Sequence, residues 1–513
     1  LMNRFLVAPG EWILASNNAG GVARFSGTSF AAPMVSGAVA LLQDNWSWLR
    51  TKPAETVDII LRSARDLGAP GVDPVYGRGL LDIAASQAPL DISKLYQKGS
   101  NGAKNYLVLA SAVDLTGAVT PGTTNINAYE DIGTTYRDFQ VPLAAILKYV
   151  RSNSNQTSTQ TVANASQPKN GFALVSDAQL PNPLGWDMHV SLFKTGLNEA
   201  RPGDFALPDA EFVVSAREGM TLKFGSGVGA MSLSGDRQAP ISSHDPLTGG
   251  ANPILGLASG GAFAAAELPV LGNARLSFGS TTRRHEDTYA DPTSGEVLSY
   301  RQAAPTYTAT AGEVKLTQPV GRDLEVSAGY SYLSESKGVL GLQSTSPLAF
   351  AQGAKTDAAT LGVRWAASSR ITLTGSATVG RTRGQGADTQ MLAVHGDGIL
   401  TTAYEAALNL EGVFGKSDSA RLALVQPLHV ERGGFDLSEN QVIDRSTGEM
   451  GQVTGFTPVD GQARKLALQA TYSRPILGGA GDLAAFVRAE AATASGSRAP
   501  TEQVIGASAS FRF

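Results

Sequence analysis

Most of the chain alternates between apolar and polar residues. Beyond about residue 181 the alternation continues to the end, and Asp323–Tyr332 is typical: Leu, Val, Ala and Tyr occupy one side, and Asp, Glu, Ser and Gly the other. A period of two predicts β-strands with two different faces. Roughly twelve such stretches of about ten residues are separated by polar or glycine-rich breaks. They are centred near residues 190, 222, 277, 314, 328, 363, 376, 408, 425, 468, 487 and 508.

Two architectures explain these strands. A soluble β-sandwich also has half-buried, alternating strands. However, the charged residues Glu325, Arg488 and Glu490 lie in mid-strand and suit a wet interior better than a dry core. A stretch of about ten residues is also what a tilted strand needs to cross a bilayer. The pattern therefore favours an antiparallel β-barrel of about twelve strands over residues 181–513.

The first 90 residues have helical patterns. Residues 34–42 form an apolar run that predicts a buried helix, and residues 51–66 carry apolar side chains at helical spacing. We expect Thr51 to cap the second helix and Gly68 to end it. These helices are expected to pack together in a domain core.

Residues 91–180 have no clear period. Residues 152–167 are rich in Asn, Ser, Thr and Gln and predict a solvated linker. Before them, Val141–Val150 is apolar and predicts a helix, either docked beside the first domain or threading a pore. We therefore divide the chain into residues 1–90, a junction over 91–180 and a barrel over 181–513.

The composition narrows the range of possible functions. A net charge of −4 and a pI near 5.8 provide no basic excess for nucleic acid. The absence of cysteine excludes disulfides and thiolate metal sites within the chain. No run of consecutive apolar residues reaches the length of about 18 that a membrane-spanning helix requires. Leu1–Val7 lacks the basic and apolar regions of a signal peptide.

The candidate chemistry lies at Phe25–Pro33, where small residues flank Ser29 just before the predicted helix. Free backbone N–H groups and the positive end of a helix dipole can stabilise an oxyanion there. Ser29 is therefore a candidate nucleophile. The alternative is that Ser29 is an ordinary helix N-cap, a position that serine favours.

Three segments carry a resemblance to a known family. Gly27–Pro33 resembles the GTSxAxP nucleophile motif of the subtilisin-like serine proteases, the subtilases. Val7–Gly10 is similar to the APG turn of that family, and Asp73–Asp82 to its DPxYGxGLLD segment. The resemblance implies that residues 1–90 are the C-terminal part of an α/β subtilisin-like peptidase domain.

The resemblance also implies roles for single residues. Ser29 would be the nucleophile, Gly27 would allow a close backbone approach, Thr28 would form the turn, and Pro33 would start the helix. Subtilases place their triad in the order Asp, His, Ser, with an oxyanion-binding Asn also before the serine. Only 28 residues precede Ser29 here, and all five histidines follow it. They are His189, His244, His285, His395 and His429.

We therefore expect the chain to be the C-terminal fragment of a longer precursor, inactive by the triad route on its own. No cofactor or metal site is indicated in this sequence. The resemblance leaves room for calcium in an N-terminal part of the precursor.

Ile505–Phe513 resembles the C-terminal strand of bacterial outer-membrane barrels. A protease-like domain before such a barrel resembles the autotransporter subtilases of Gram-negative bacteria. That resemblance implies a monomeric outer-membrane barrel with the protease domain at the cell surface or secreted. The implied partners are peptide or protein substrates, membrane lipid and the barrel-insertion machinery, without nucleic acid. Thr135–Phe139 also resembles a piece of related secreted proteases, with no chemical role indicated.

Two alternatives remain open. One is a non-catalytic surface protein that carries a degenerate protease domain on a translocator barrel. The other is a free-standing porin, which leaves residues 1–90 unexplained.

Overall fold

The structure, a computed structural model, describes residues 2–99, 102–107, 124–149, 173–180, 187–194, 209–216, 219–235, 241–285, 306–344, 348–350, 352–386, 391–459, 463–476, 481–493 and 502–511. The chain forms two compact units. The first comprises Leu1–Leu109, Thr124–Ile146 and Ser438–Gly455, and the second Ala110–Thr123, Leu147–Leu437 and Phe456–Phe513. The units are defined by packing, so the predicted domain boundaries at residues 90 and 180 stay predictions.

Three α-helices lie in the described residues of the first unit: α1 (Thr28–Asn45), α2 (Pro53–Arg62) and α3 (Ile83–Gln87). Helix α2 confirms the amphipathic helix expected within residues 51–66, and its proline lies where a missing N–H costs little. Thr51 does not cap this helix, because it ends the 3₁₀ turn Ser47–Thr51 and its hydroxyl donates to the Trp48 carbonyl. Helix α2 also ends at Arg62, with Ser63 as its C-cap, well before Gly68.

Helix α1 is less buried than its apolar sequence predicts. Its buried residues are Ala38 and Leu42, whereas Leu41 is 48% exposed. The expectation of a buried helix over residues 34–42 is therefore wrong for all but one face. Within this unit the elements that pack on α1 cover only that face.

The core of the first unit joins these helices to a small sheet. Two tryptophans, Trp46 and Trp48, lie at its centre beside Ile132. The buried cluster consists of Ala38, Leu42, Trp46, Trp48, Leu49, Ile59, Ile60 and Ile132. Val442 packs against it from a distant part of the chain.

The first unit holds two antiparallel sheets. Strands β1 (Ile13–Ser16) and β2 (Val22–Phe25) form a hairpin, with Ile13 opposite Phe25. The second sheet has the order β4-β3-β5-β6. Its strands are β3 (Tyr96–Lys98), β4 (Lys104–Tyr106), β5 (Asn125–Ile132) and β6 (Thr135–Pro142).

The helix predicted over Val141–Val150 is wrong for the residues that the structure describes. Strand β6 runs to Pro142, a 3₁₀ turn covers Leu143–Ile146, and strand β7 covers Leu147–Tyr149. A short apolar run has no period that separates a buried helix from a strand, which explains the error. Val150 and the predicted linker over 152–167 lie outside the described residues.

A fifteen-stranded antiparallel sheet dominates the second unit. Its strands are β8 (Ala173–Leu180), β9 (Asp187–Lys194), β10 (Asp209–Ser215), β11 (Thr221–Ser226), β12 (Ala262–Pro269), β13 (Arg275–His285), β14 (Tyr307–Val320), β15 (Leu324–Ser336), β18 (Ala354–Ser368), β19 (Ile371–Gly384), β21 (Ile399–Glu411), β22 (Ser419–Arg432), β25 (Arg464–Ile476), β26 (Gly481–Thr493) and β27 (Glu502–Phe511). They follow one another across the sheet in this order from one edge to the other.

The remaining strands and helices are short. Strands β16 (Gly338–Val339) and β17 (Leu342–Ser344) pair beside β7, and β20 (Leu392–Val394) joins a sheet with β23 (Gly434–Asp444) and β24 (Glu449–Pro458). Between β11 and β12 lie helices α4 (Gly229–Ser234) and α5 (Pro253–Leu257), with a 3₁₀ turn at Ile241–His244.

Every one of the twelve predicted strand centres falls inside a strand of the large sheet. The prediction of about twelve strands misses β8, β10 and β12. Strand β12 reads AFAAAELP, and its alanines remove the contrast between the two faces. This strand was missed because the difference in polarity between its two faces is small, and its period is still that of a strand.

The large sheet exposes apolar side chains and buries many polar ones, together with apolar residues such as Leu333, Ile399 and Val425. On β18, Leu361, Val363 and Trp365 are 64%, 45% and 48% exposed. On β14, Val314 is exposed while the neighbouring Glu313 is buried. Further buried polar residues of the sheet are Thr281, Ser331, Thr356, Thr378, Thr382, Thr401, Glu405, Gln426 and Gln469. A soluble sheet packed on a dry core shows the opposite arrangement.

The segment between β11 and β12, residues 227–260, bonds to widely separated strands of this sheet. Ser232 Oγ donates to Glu211 Oε1 on β10 at 2.8 Å. The Thr248 carbonyl accepts a 3.0 Å hydrogen bond from Arg488 on β26. Between these contacts the segment is compact, because Ser234 Oγ lies 3.1 Å from His244 Nε2.

No α-helix in the described part of the chain is long and apolar enough to cross a membrane.

Candidate nucleophile site

Ser29 is the second residue of helix α1, and it is exposed. Gly27 is the N-cap, with an extended backbone (φ 158°, ψ 156°) and no side chain to bond the first turn. Ser29 is therefore not the N-cap. Its hydroxyl lies beside first-turn N–H groups that receive no side-chain cap, at the positive end of the helix dipole.

Thr28 starts the helix, whereas Pro33 lies inside it. The expectation that Pro33 starts the helix is not met, because α1 begins five residues earlier. Proline has no N–H, so Pro33 cannot donate to the Ser29 carbonyl one turn before it. The helix nevertheless continues to Asn45.

The close backbone approach at the motif occurs at Gly10. A Cβ atom on Gly10 would lie 2.8 Å from the Gly27 carbonyl oxygen and 3.1 Å from Ala31 Cβ. Gly27 N donates to the Gly10 carbonyl at 2.7 Å. A Cβ on Gly27 would meet nothing nearer than Phe30 at 3.9 Å. Sequence reasoning assigned the close approach to Gly27 and did not single out Gly10, although Gly10 ends the predicted APG turn.

Two further contacts position the residues around Ser29. Ser26 Oγ accepts a hydrogen bond from Trp12 N at 3.0 Å. The rings of Phe25 and Phe30 stack with centroids 5.4 Å apart, across the junction of β2 and α1. Neither contact could be predicted from the sequence, because each depends on the tertiary path of the β1–β2 hairpin.

The segment Asp73–Asp82 begins with a tight turn. Asp73 Oδ1 accepts hydrogen bonds from Val75 N at 2.7 Å and Tyr76 N at 2.8 Å. Gly77 and Gly79 follow with φ of +62° and +108°. Such values favour glycine, so the glycines of this motif have a backbone role.

The same segment holds the chain that leads to Gly10. Val7 N donates to the Gly79 carbonyl at 2.9 Å, and Leu81 N donates to the Val7 carbonyl at 2.8 Å. Leu80 exchanges two hydrogen bonds of 2.8 Å with Arg65. The three motifs of the sequence thus form one backbone framework: Asp73–Asp82 holds Val7–Gly10, and Gly10 abuts the loop before Ser29.

The five histidines all lie in the second unit. The first unit therefore contains no imidazole to pair with Ser29. In the described ranges, no group of three or more His, Cys, Asp or Glu side chains is arranged to hold a metal ion.

A protein-family model and several known proteins resemble parts of this chain. The Peptidase_S8 family, the subtilase family, matches residues 3–79. Over 59 residues the chain is 44% identical to the Neisserial autotransporter lipoprotein NalP from two strains of Neisseria meningitidis serogroup B. These 59 residues are 12% of this chain and 5% of that protein. Over 63 residues it is 38% identical to Serotype-specific antigen 1 of Mannheimia haemolytica, covering 12% of this chain and 6% of that protein.

The matching stretches thus span about a twentieth of the length of these curated relatives. Among solved structures, CdiB from Acinetobacter baumannii matches 76% of this chain and 57% of that chain, with 12% identity and a TM-score of 0.29. A likeness at this level supports no conclusion about fold or function.

Proposed function

We propose, from the premise that residues 3–79 belong to the subtilase family, that the chain is part of a surface-displayed or secreted serine endopeptidase. Its Ser29 would be the nucleophile, and its large sheet an outer-membrane β-barrel that translocates and anchors the protease domain. The observation that carries the proposal is the placement of Ser29, exposed at the uncapped first turn of α1 within the framework of the three motifs.

In the proposed reaction, Ser29 Oγ attacks the carbonyl carbon of the scissile peptide bond. A histidine supplied by another part of the precursor takes the hydroxyl proton, an aspartate orients that histidine, and the amine leaves with the proton as the acyl-enzyme forms. Water then hydrolyses the acyl-enzyme. The Ser29 N–H would bind the oxyanion, together with the asparagine that the family supplies. No cofactor takes part.

We infer that this chain is inactive by the triad route on its own, because all its histidines follow Ser29, whereas subtilases place the triad histidine before the serine. The β1–β2 hairpin leaves Trp12, Leu14 and Val22 66%, 64% and 67% exposed, which supports an origin in a larger domain that covers them.

The two faces of the large sheet support a membrane barrel. Exposed Leu361, Val363 and Trp365 alternate along β18, as side chains facing lipid do. The buried face carries Glu313, Glu405 and several threonines, which suit a polar interior. A β-sandwich needs an apolar buried face, so the sheet favours the barrel over the sandwich.

The segment at residues 227–260 also supports a curved sheet. It bonds to Glu211 on β10 and Arg488 on β26, which are eleven positions apart in the strand order. In a flat sheet these strands would be about 53 Å apart, at about 4.8 Å per strand. A compact segment reaches both most simply if the sheet curls around it. The implied partners are outer-membrane lipid, the insertion machinery and peptide substrates, with a monomeric barrel.

A labelling experiment tests the nucleophile. The precursor, carrying every domain, is treated with a fluorophosphonate probe, and the labelled peptide is identified by mass spectrometry. We expect label on Ser29, and we expect Ser29→Ala to lose both labelling and peptidase activity while the barrel still inserts. Ser36→Ala is the matched control, since Ser36 is an exposed serine about two turns further along the same helix, and its hydroxyl donates to the Ala32 carbonyl.

Label that persists in Ser29→Ala would refute the nucleophile assignment. A correctly inserted precursor that takes no label and cleaves no peptide would favour the alternative, a non-catalytic surface protein with a degenerate protease domain.

A further inference from the structure

The first unit contains a piece of chain from far downstream. Residues 438–455, here called the hairpin segment, are the outer part of the β23–β24 hairpin and belong to the first unit together with residues 1–109 and 124–146. Their contacts there join residues more than 300 positions apart. They are therefore long-range tertiary contacts.

Strand β23 provides three polar contacts. The Glu439 carboxylate accepts hydrogen bonds from Asn127 N at 2.9 Å and Asn127 Nδ2 at 2.8 Å. The Tyr129 hydroxyl donates to the Asn440 carbonyl at 2.5 Å. Asn440 Nδ2 donates to the Lys98 and Gly99 carbonyls, each at 2.9 Å. Glu439 and Tyr129 are buried, so water does not compete freely for these bonds.

The turn of the hairpin provides an ion pair. Arg445 Nη1 lies 2.6 Å from Asp138 Oδ2, and Arg445 Nη2 donates to the Asn45 carbonyl at 2.8 Å. The guanidinium also lies over the Trp48 ring, 5.4 Å from its centre. One arginine thus contacts helix α1, strand β6 and the core tryptophan.

The shape of the turn matches its docking surface. Gly448 has φ +75°, and a Cβ there would lie 2.9 Å from Trp48 Cδ2. The Tyr136 hydroxyl donates to the Gly448 carbonyl. Asp444 Oδ1 accepts from Ser446 N at 2.8 Å, which holds the turn in this conformation before docking. Val442 packs on the tryptophan core from the same hairpin.

We propose that the hairpin segment is a non-covalent clamp for residues 1–146. Its partner is the N-terminal module of the same chain, recognised through buried backbone groups, one arginine–aspartate pair and a glycine fitted to a tryptophan ring. A cut in the chain between residues 150 and 172 would then leave the N-terminal module bound. This inference is independent of protease activity. The N-terminal piece also contains β7, which pairs with β17, so the comparison of hairpin variants separates the clamp from that pairing.

The test uses the whole chain in detergent, with a site for a sequence-specific protease inserted between residues 160 and 161. After complete cleavage, size-exclusion chromatography shows whether the two pieces elute together. We expect the wild-type pieces to co-elute. Arg445→Ala removes the ion pair and leaves the Asp138 carboxylate with its hydrogen bond from Trp46 Nε1. We therefore expect about tenfold faster dissociation of the N-terminal piece.

Arg432→Ala is the matched control, because Arg432 is an exposed arginine at the end of β22 in the second unit. It should dissociate at the wild-type rate. Tyr136→Phe is a milder second variant that removes one hydroxyl and keeps the ring, with a few-fold faster dissociation expected. Separation of the wild-type pieces as fast as they are cut would overturn the proposal, as would equal rates for Arg445→Ala and Arg432→Ala.

Discussion

At the scale of single residues, the position of Ser29 depends on places where a side chain has no room. A Cβ on Gly10 would meet the Gly27 carbonyl at 2.8 Å, and one on Gly77 would meet the Phe5 carbonyl at 2.4 Å. A Cβ on Gly79 would lie 2.1 Å from the Arg65 carbonyl. The backbone segments approach each other directly at these points, so the first turn of α1 is held by main chain.

Gly79→Ala should destabilise the first unit. Its φ of +108° strains any other residue, and the new methyl group would collide with the Arg65 carbonyl. We expect a loss of about 2–5 kcal/mol, the sum of backbone strain and overpacking. Urea unfolding followed by tryptophan fluorescence measures it, since Trp46 and Trp48 lie in the core of this unit.

Gly71→Ala separates the two causes. Gly71 has a similar φ of +89°, but a Cβ there would meet nothing within 4 Å. It should cost only the backbone term of about 1–2 kcal/mol. Equal losses of unfolding free energy for the two variants would show that the close contact with the Arg65 carbonyl contributes nothing to the destabilisation by Gly79→Ala.

The position of a residue in the fold was predictable where the residue belongs to a recognised motif. The motif placed Ser29 at the start of a helix, and the helix begins at Thr28. The role of Gly10 was not predictable, because its contact with Gly27 depends on the path of the chain between them. The helix-start role expected for Pro33 was also not found, since proline is tolerated here inside the helix.

At the scale of elements, a buried ion pair joins helix α3 to the β5–β6 hairpin. Arg137 is fully buried, and its guanidinium lies 2.6 Å from Glu130 Oε2 and donates to the Ser86 carbonyl at 2.6 Å. Glu130 Oε1 accepts from Leu90 N at 2.7 Å. Burial lowers the pKa of Arg137, while Glu130 opposes this change. The segment Thr135–Phe139, which had no predicted role, thus has a structural one.

The clamp should weaken at high pH. Burial and, to a smaller extent, the charge of Asp138 together raise the pKa of Tyr136 to about 12, although Arg445 opposes both. Burial, followed by the charges of Glu439 and Asp138, also raises the pKa of Tyr129. Because both values lie above the unfolded value of about 10, the stabilisation is complete below pH 10 and is lost as the pH rises above it.

Tyr136→Phe removes one of these two groups. Between pH 10 and 12 the unfolding free energy should fall less steeply than in the wild type, by at most about 1.4 kcal/mol per pH unit for one proton. Urea unfolding of the first unit at several pH values measures the slope. Identical slopes for Tyr136→Phe and the wild type would show that the pKa of this hydroxyl is the same in the folded and unfolded states.

Elements with a long, clear period were predictable, and short apolar runs were not. Helix α2 and twelve strands follow from spacing alone. Val141–Val150 failed because its apolar residues suit a helix or a strand equally, and packing in the β5–β6 region decides between them. The clamp was not predictable from the sequence, since its contacts join residues more than 300 positions apart.

At the scale of the whole molecule, the chain combines a segment that matches the subtilase family model with a large sheet whose exposed face is apolar. The alternation that predicts the sheet also predicts which residues share a face, and the exposed Leu361, Val363 and Trp365 confirm that pattern. The strand number was underestimated, because alanine-rich strands such as β12 show little contrast between faces. Which of the two faces is buried depends on the surrounding solvent, which a period of two does not specify.

If the large sheet is a membrane barrel, as proposed, the electrophoretic mobility of the chain in detergent should change on heating. The full chain is extracted from the membrane fraction in detergent and run with and without boiling. A closed barrel pairs all its strand edges and resists unboiled dodecyl sulfate, so we expect a compact, fast-migrating band that shifts to the mobility of about 53 kDa on boiling. The same mobility in both samples, with the chain recovered from the soluble fraction, would contradict the account.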